Sequence, residues 1–208
     1  MLYPPDIQRV LAIMHRYKKN ITGDHGFVDI HTIVQPNVWL AGAGLMGDIK
    51  KGEWKAQWHT NGGSIFLHLK DPADSATLHQ VVALLDKLPA ARKKLFRIID
   101  RQAMDEIGAD PHAALALTGV QGIAFGGSPK GEAVIPSPAT LKGMHGYFPD
   151  FHEIQTGFIG SGAGFKKGVV IPVMGLEDIA PIVTALLGLP FPSADGILFK
   201  GVLRQPKP

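Results

Sequence analysis

Glycine and proline punctuate this chain from end to end, 25 and 16 times in 208 residues, with no repeating period. Proline cannot continue a helix or a strand interior, and glycine marks turns and close backbone approaches. The chain can therefore build only short elements joined by many turns. With 45% hydrophobic residues it can still bury a real core. A loop-rich α/β or α+β protein follows, and a collagen, a linker or a disordered segment does not.

Between these interruptions the apolar pattern switches between helical and strand periods. Asp6 is placed to cap a helix carrying Ile7, Val10, Leu11 and Met14. A short run, Asn20 to Thr22, follows. Phe27 to Val34 alternates and is β-branched, as a strand requires. Asn37 is expected to cap a short helix through Leu45. Trp54 to His59 and Ser64 to Leu69 read as a hairpin around Thr60-Asn61-Gly62-Gly63. Asp74-Ser75 opens an amphipathic helix with Leu78, Val81, Val82, Leu84, Leu85 and Leu88 apolar, ended by Pro89. Leu95 to Ile99, Leu115 to Thr118 and Gly122 to Phe125 read as strands, and Arg101 to Ile107 as a helix. Gly126 to Tyr147 reads as one long loop. Thr156 to Gly160 and Val169 to Val173 are expected as strands. Glu177 and Asp178 open a last helix to Leu187, with Pro181 in its first turn and Gly188 closing it. Helices alternate with strands, so the predicted architecture is an α/β sheet covered by helices. No repeat or linker divides the chain.

Several function classes fall away. There is no cysteine, so disulfide scaffolds, cysteine–zinc sites and cysteine nucleophiles are excluded. The net charge of +3 lacks the Lys/Arg stripe of a nucleic-acid binder, and Arg92-Lys93-Lys94 reads as a solvated element end. The most apolar window, Val169 to Leu189, is broken by Pro172, Glu177, Asp178 and Pro181, so no membrane partner is expected. The first residues lack the basic start and apolar core of a signal peptide, which puts the chain as written in the cytoplasm.

Chemistry concentrates in Gly23-Asp24-His25-Gly26. Carboxylate and imidazole are oxygen and nitrogen ligands of zinc and similar ions. Neighbouring side chains of an extended strand point to opposite faces. Asp24 and His25 would thus share one ion only across a bend, or serve two ions, one each. The other His residues have plainer readings. His31 sits in a strand, His59 and His68 in the hairpin, and His79 on a solvated helix face. Trp39, Trp54 and Trp58 read as packing residues, and Gly160 to Gly164 as a tight turn without the Lys-Ser/Thr ending of a P-loop.

A second stretch reads together with the first: His145-Gly146, then Gly162-Ala163-Gly164, then Asp178-Ile179-Ala180-Pro181 and Leu186-Leu187-Gly188. In this order the marks resemble the C-terminal part of the type I phosphodiesterase/nucleotide pyrophosphatase family of the alkaline phosphatase superfamily, over roughly Gly23 to Leu203. The resemblance implies residues 23–208 as the C-terminal part of an alkaline-phosphatase-like phosphodiesterase domain, after a divergent or truncated segment 1–22. It implies two divalent ions, zinc or similar, with Asp24 and His25 on one and His145 on the other. His152 and Asp150 are candidates to hydrogen-bond His145 and orient its ring. The family's nucleophile and remaining ligands lie upstream of Asp-His-Gly, so no catalytic nucleophile is expected in this chain and both ion sites would be incomplete. The implied substrate is a phosphodiester, a pyrophosphate or a nucleotide, with the chain alone inactive. A sulfatase, phosphomonoesterase or phosphonate hydrolase branch, or a non-catalytic lobe, is the alternative. Self-association, or pairing with a missing N-terminal part, is the expected partnership.

Overall fold

The computed structural model describes residues 19–192 and 195–204. The helix expected behind Asp6 lies outside them. Two compact units divide the chain: one runs from His25 to Gln155, and the other combines the segments up to Asp24 and from Thr156.

The larger unit holds two four-stranded sheets. In the first, strand β2 (Val28–Val34) is the hub. It pairs in parallel with β7 (Gly122–Phe125), and antiparallel with β8 (Val134–Pro136) and β9 (Gly143–Met144). The second sheet has the order β3-β4-β6-β5 and is antiparallel throughout. Its strands are Ala56–Thr60, Ser64–Leu69, Leu115–Gly119 and Phe96–Ile99, numbered β3, β4, β6 and β5. The hairpin expected around Asn61-Gly62-Gly63 is the β3–β4 turn.

Helices α1 (Pro36–Gly42) and α2 (Ser75–Asp86) contribute to one core cluster with both sheets. Helix α2 begins where Asp74 accepts the Thr77 N–H at 2.9 Å. It buries Thr77, Val81 and Leu85, spaced four apart on one face. These meet Trp39, Leu40, Trp58, Ile65, Leu67, Leu117, Ile123 and Phe125. Pro89 stops α2 and opens the short helix α3 (Ala90–Lys93). Asp100 caps α4 (Arg101–Glu106) by accepting the Ala103 N–H.

In the smaller unit, β1 (Lys19–Thr22) pairs antiparallel with β10 (Phe158–Ser161). Helix α5 (Ile179–Leu187) packs Ile182 and Leu186 with Phe165 and Val202. Gly188 closes it in the left-handed conformation, as its position predicts. Asp178 is buried and accepts the N–H groups of Gly175 and Ile197, both at 2.8 Å.

Three expectations need correction. Asn37 caps nothing: α1 starts at Pro36, and Asn37 is fully buried. Its amide nitrogen donates to Trp58 O (2.9 Å) and Gly127 O (3.0 Å), and its oxygen accepts the Trp58 N–H (2.8 Å). The stretch 126–147 is no continuous loop, because β2 recruits β8 and β9 from it. Val169–Val173 is not a strand; Pro172 has no N–H to pair, and Val170 and Val173 stand in solvent. Among the described residues no helix is long and apolar enough to cross a membrane.

Asn37→Ala should destabilise the chain by about 3 kcal/mol, because it strands a buried N–H and a buried carbonyl at Trp58 together. Urea unfolding of the two proteins, with the slope unchanged, measures this. A loss below about 1 kcal/mol would show that water replaces the amide.

Candidate metal centre

His25 and His145 are far apart in sequence, and the pairing of β2 with β9 brings them together. The two strands run antiparallel, with Val28 opposite Met144 and Asp29 opposite Gly143. Residues just before Val28 therefore lie beside those just after Met144. The two imidazoles stack, with ring centroids 3.9 Å apart and planes 15° from parallel.

Backbone contacts hold each partner. Gly26 N–H donates to Ile154 O at 2.6 Å, fixing the exit from His25. The β3–β4 turn holds His145, whose carbonyl accepts the Gly63 N–H at 2.7 Å. Gly62 sits at φ 92°, and a Cβ there would lie 2.6 Å from His145 O. Only glycine fits both its backbone angle and that approach. Tyr147 anchors the segment further: its hydroxyl donates to Ile123 O at 2.7 Å, and its ring stacks on Phe151 at 4.7 Å. Burial of this phenol pushes its pKa up to about 12.

The ring chemistry suits metal binding. His25 Nδ1 lies 3.0 Å from Gly26 O. With its proton on Nδ1, the ring donates to that carbonyl, and Nε2 is the unprotonated nitrogen. Asp24 is exposed and ends the smaller compact unit, while His25 begins the larger. Among the described residues no group of three or more His, Asp and Glu side chains is arranged to hold a metal ion. Zinc takes four ligands. These residues thus fit a metal as donors without making a complete site among themselves.

The other candidates have occupations of their own. Asp150 forms a bidentate pair with Arg97 at 2.8 and 2.9 Å, which raises the pKa of the guanidinium. Arg97 also lies over the Phe148 ring, 5.9 Å from its centroid. Asp150 therefore ties its loop to β5. His152 is exposed and opens a short 3-10 turn, whose last residue, Ile154, accepts the Gly26 bond. Thr22, beside the motif, donates its hydroxyl to Gly157 O at 3.0 Å.

A separate cluster forms on the β3–β4 hairpin. His68 Nε2 lies 3.0 Å from Asp110 Oδ2, and the His59 ring meets His68 edge-on at 4.9 Å. The bond from His68, then the His112 N–H, holds Asp110 below the usual carboxylate range. Burial, then the neighbouring His68, lowers the His59 pKa. Sequence reasoning missed two contributors near His145. The β3–β4 turn that seats it looked like a plain hairpin loop. Phe27, whose ring centroid lies 6.2 Å from that of His145, reads in the sequence only as the start of a strand.

No protein-family model and no curated protein matches this sequence. Solved structures match its fold. Human ectonucleotide pyrophosphatase/phosphodiesterase 5 superposes with a TM-score of 0.64 at 12% identity, over 96% of this chain and 49% of that one. The murine protein gives 0.63 at 13%, over 96% and 48%. The same murine protein as an inactive variant in complex with AMP gives 0.62 at 13%, with the same coverage. This chain spans about half the length of those proteins. At such identity the likeness is one of fold.

Two measurements probe how His145 is held. Gly62→Ala should cost more than about 1 kcal/mol, from the strained angle and the displaced carbonyl together, and should shift the His145 ring resonances in NMR. Unchanged resonances would mean that the turn does not seat this residue. In ultraviolet titration one phenol should ionise near pH 12 and vanish in Tyr147→Phe. Its folded pKa is above the unfolded value of about 10. The stability it contributes is therefore full below pH 10 and lost between about 10 and 12.

Proposed function

We propose that this chain, which carries the α/β fold of the nucleotide pyrophosphatase/phosphodiesterases over about half their length, takes part in hydrolysing phosphodiester or pyrophosphate bonds in nucleotides or similar esters. The observation that carries the reading is the meeting of His25 and His145. The register of two paired strands unites the two motifs that resemble the family's metal motifs. AMP in the murine relative supports a nucleotide as the substrate class.

In this reading Asp24 and His25 are ligands of one divalent ion, zinc or similar, and His145 of a second. When bound, two such ions activate an attacking oxygen and neutralise charge on the phosphoryl group. The chain's own residues orient the donors. Gly26 O sets the His25 tautomer, and Gly63 N–H fixes the backbone of His145. Both rings sit where a phosphate oxygen can approach: His25 is exposed and His145 half-buried. No nucleophile is assigned to this chain, since the hydroxyl beside the motif, Thr22, is turned to backbone carbonyls. A second reading, a non-catalytic lobe of the same fold, draws support from the lack of a three-donor group among the described residues.

The purified chain with added zinc should show no turnover of bis-p-nitrophenyl phosphate. Zinc-dependent turnover that disappears in His145→Ala would instead give this chain a complete site. Metal analysis should find fewer than about one tightly held zinc per chain. His25→Ala and His145→Ala should each weaken the residual zinc affinity at least about tenfold. If neither does, the ligand assignment fails and the non-catalytic reading stands.

A further inference from the structure

The β3–β4 hairpin carries a second imidazole pair, which the centre at His25 and His145 does not use. In its register Gln57 lies opposite His68, and His59 opposite Phe66. His59 and His68 are therefore diagonal neighbours on one face of the ladder. The other face gives Ala56, Trp58, Ile65 and Leu67 to the core. The centroids of the two rings are 4.9 Å apart, and their planes cross at 83°. Two imidazoles that share a tetrahedral ion, each bound through nitrogen at about 2.0–2.1 Å, hold their centroids about 5 Å apart. The spacing of this pair is that of two ligands of one ion.

Asp110 prepares one of the rings. Its Oδ2 lies 3.0 Å from His68 Nε2. An ionised carboxylate only accepts, so the His68 proton is on Nε2, and the lone pair of the neutral ring is on Nδ1. That Nδ1 is enclosed by protein and has no hydrogen-bond partner. A buried polar atom left over in this way asks for a water or an ion. The carboxylate is itself held in place. Its Oδ1 accepts the His112 N–H at 2.9 Å, and the Asp110 carbonyl accepts from Arg101 at 2.8 Å. A fixed carboxylate behind an imidazole, setting its tautomer and orientation, is the usual support of a metal-binding histidine.

We infer that His59 and His68 form a further metal site, for a transition-metal dication that favours imidazole, such as zinc, copper(II) or nickel(II). His68 binds through Nδ1, and Asp110 is the positioning residue behind it. His59, exposed to solvent, supplies the second nitrogen. Water or an exchangeable ligand fills the other positions, in keeping with the lack of a three-donor group among the described residues. The site is thus open and releases its ion readily. It shares no residue with the pair His25 and His145, so it stands apart from the phosphate-ester reading.

The test uses the full chain carrying His25→Ala/His145→Ala, with copper(II) as the probe. Copper binds nitrogen sites most tightly among these dications, and its unpaired electron broadens nearby NMR resonances. Substoichiometric copper should broaden the His59 and His68 ring resonances before those of His31, His79, His112 and His152. Adding His59→Ala or His68→Ala should each weaken copper binding at least about tenfold, and Asp110→Asn about ten- to a hundredfold. Urea unfolding should show the same midpoint with and without His59→Ala, because that ring is exposed. The inference is overturned if another histidine broadens first, or if His59→Ala and His68→Ala both keep the affinity within about twofold, well short of that scale. Asp110→Asn that lowers the unfolding midpoint but leaves copper binding unchanged would reduce Asp110 to a structural contact and overturn its positioning role.

Discussion

The larger unit depends on how the open edge of β3 is closed. Trp58 turns its N–H and carbonyl away from β4, and both would be buried without partners. The Asn37 amide meets both, acting as one residue of an extra strand, and its second N–H reaches Gly127 beyond β7. An unpaired buried backbone group costs about as much as a whole hydrogen bond contributes, or more. One side chain therefore docks α1, caps a sheet edge and ties down the chain leaving β7. The apolar cluster of Trp39, Leu40 and Trp58 packs around residues joined by this polar link.

With that edge closed, β2 organises the candidate site. Its parallel partner β7 arrives after the whole second sheet has been traversed, while β8 and β9 come from the passage that follows. Strand β9 has only two residues, and its effect is out of proportion to its length. Register in a ladder decides which residues face each other. Two pairs suffice to set His145 beside His25. The β3–β4 turn then adds a backbone bond to the His145 carbonyl, so both sheets of the unit hold this residue. Tyr147 continues the attachment through Ile123 on β7.

Local physics made much of the fold legible in advance. The period of α2, its Asp74 cap, the Asn-Gly-Gly hairpin, Pro181 and the Gly188 cap of α5 all depend on neighbours within a turn or two, and the structure contains them. What escaped was non-local. Strands β8 and β9 are too short and too mixed to show a period, and exist because β2 offers them a ladder. Val169–Val173 has strand composition, yet Pro172 and the lack of a partner leave it irregular. Asn37 looked like a cap because caps are the usual use of asparagine before an apolar run. Its long-range bonds decided otherwise. For the site, the motifs around Asp24, His25 and His145 were visible as residue types. The Arg97 pairing of Asp150 was not, since it joins β5 to a loop far along the chain.

The sequence by itself determined the types of the longer elements, the core-facing stripe of α2, and the presence of carboxylate and imidazole donors at Asp24, His25 and His145. These follow from backbone sterics, side-chain period and ligand chemistry, which act locally. Tertiary structure alone decided that His25 and His145 stack, that Asn37 is buried in place of capping a helix, and that Phe27 rests on Gly143 with most of its surface in water. Those outcomes rest on strand register and on pairing buried polar groups. Both are satisfied between segments far apart in sequence, and no local pattern records them.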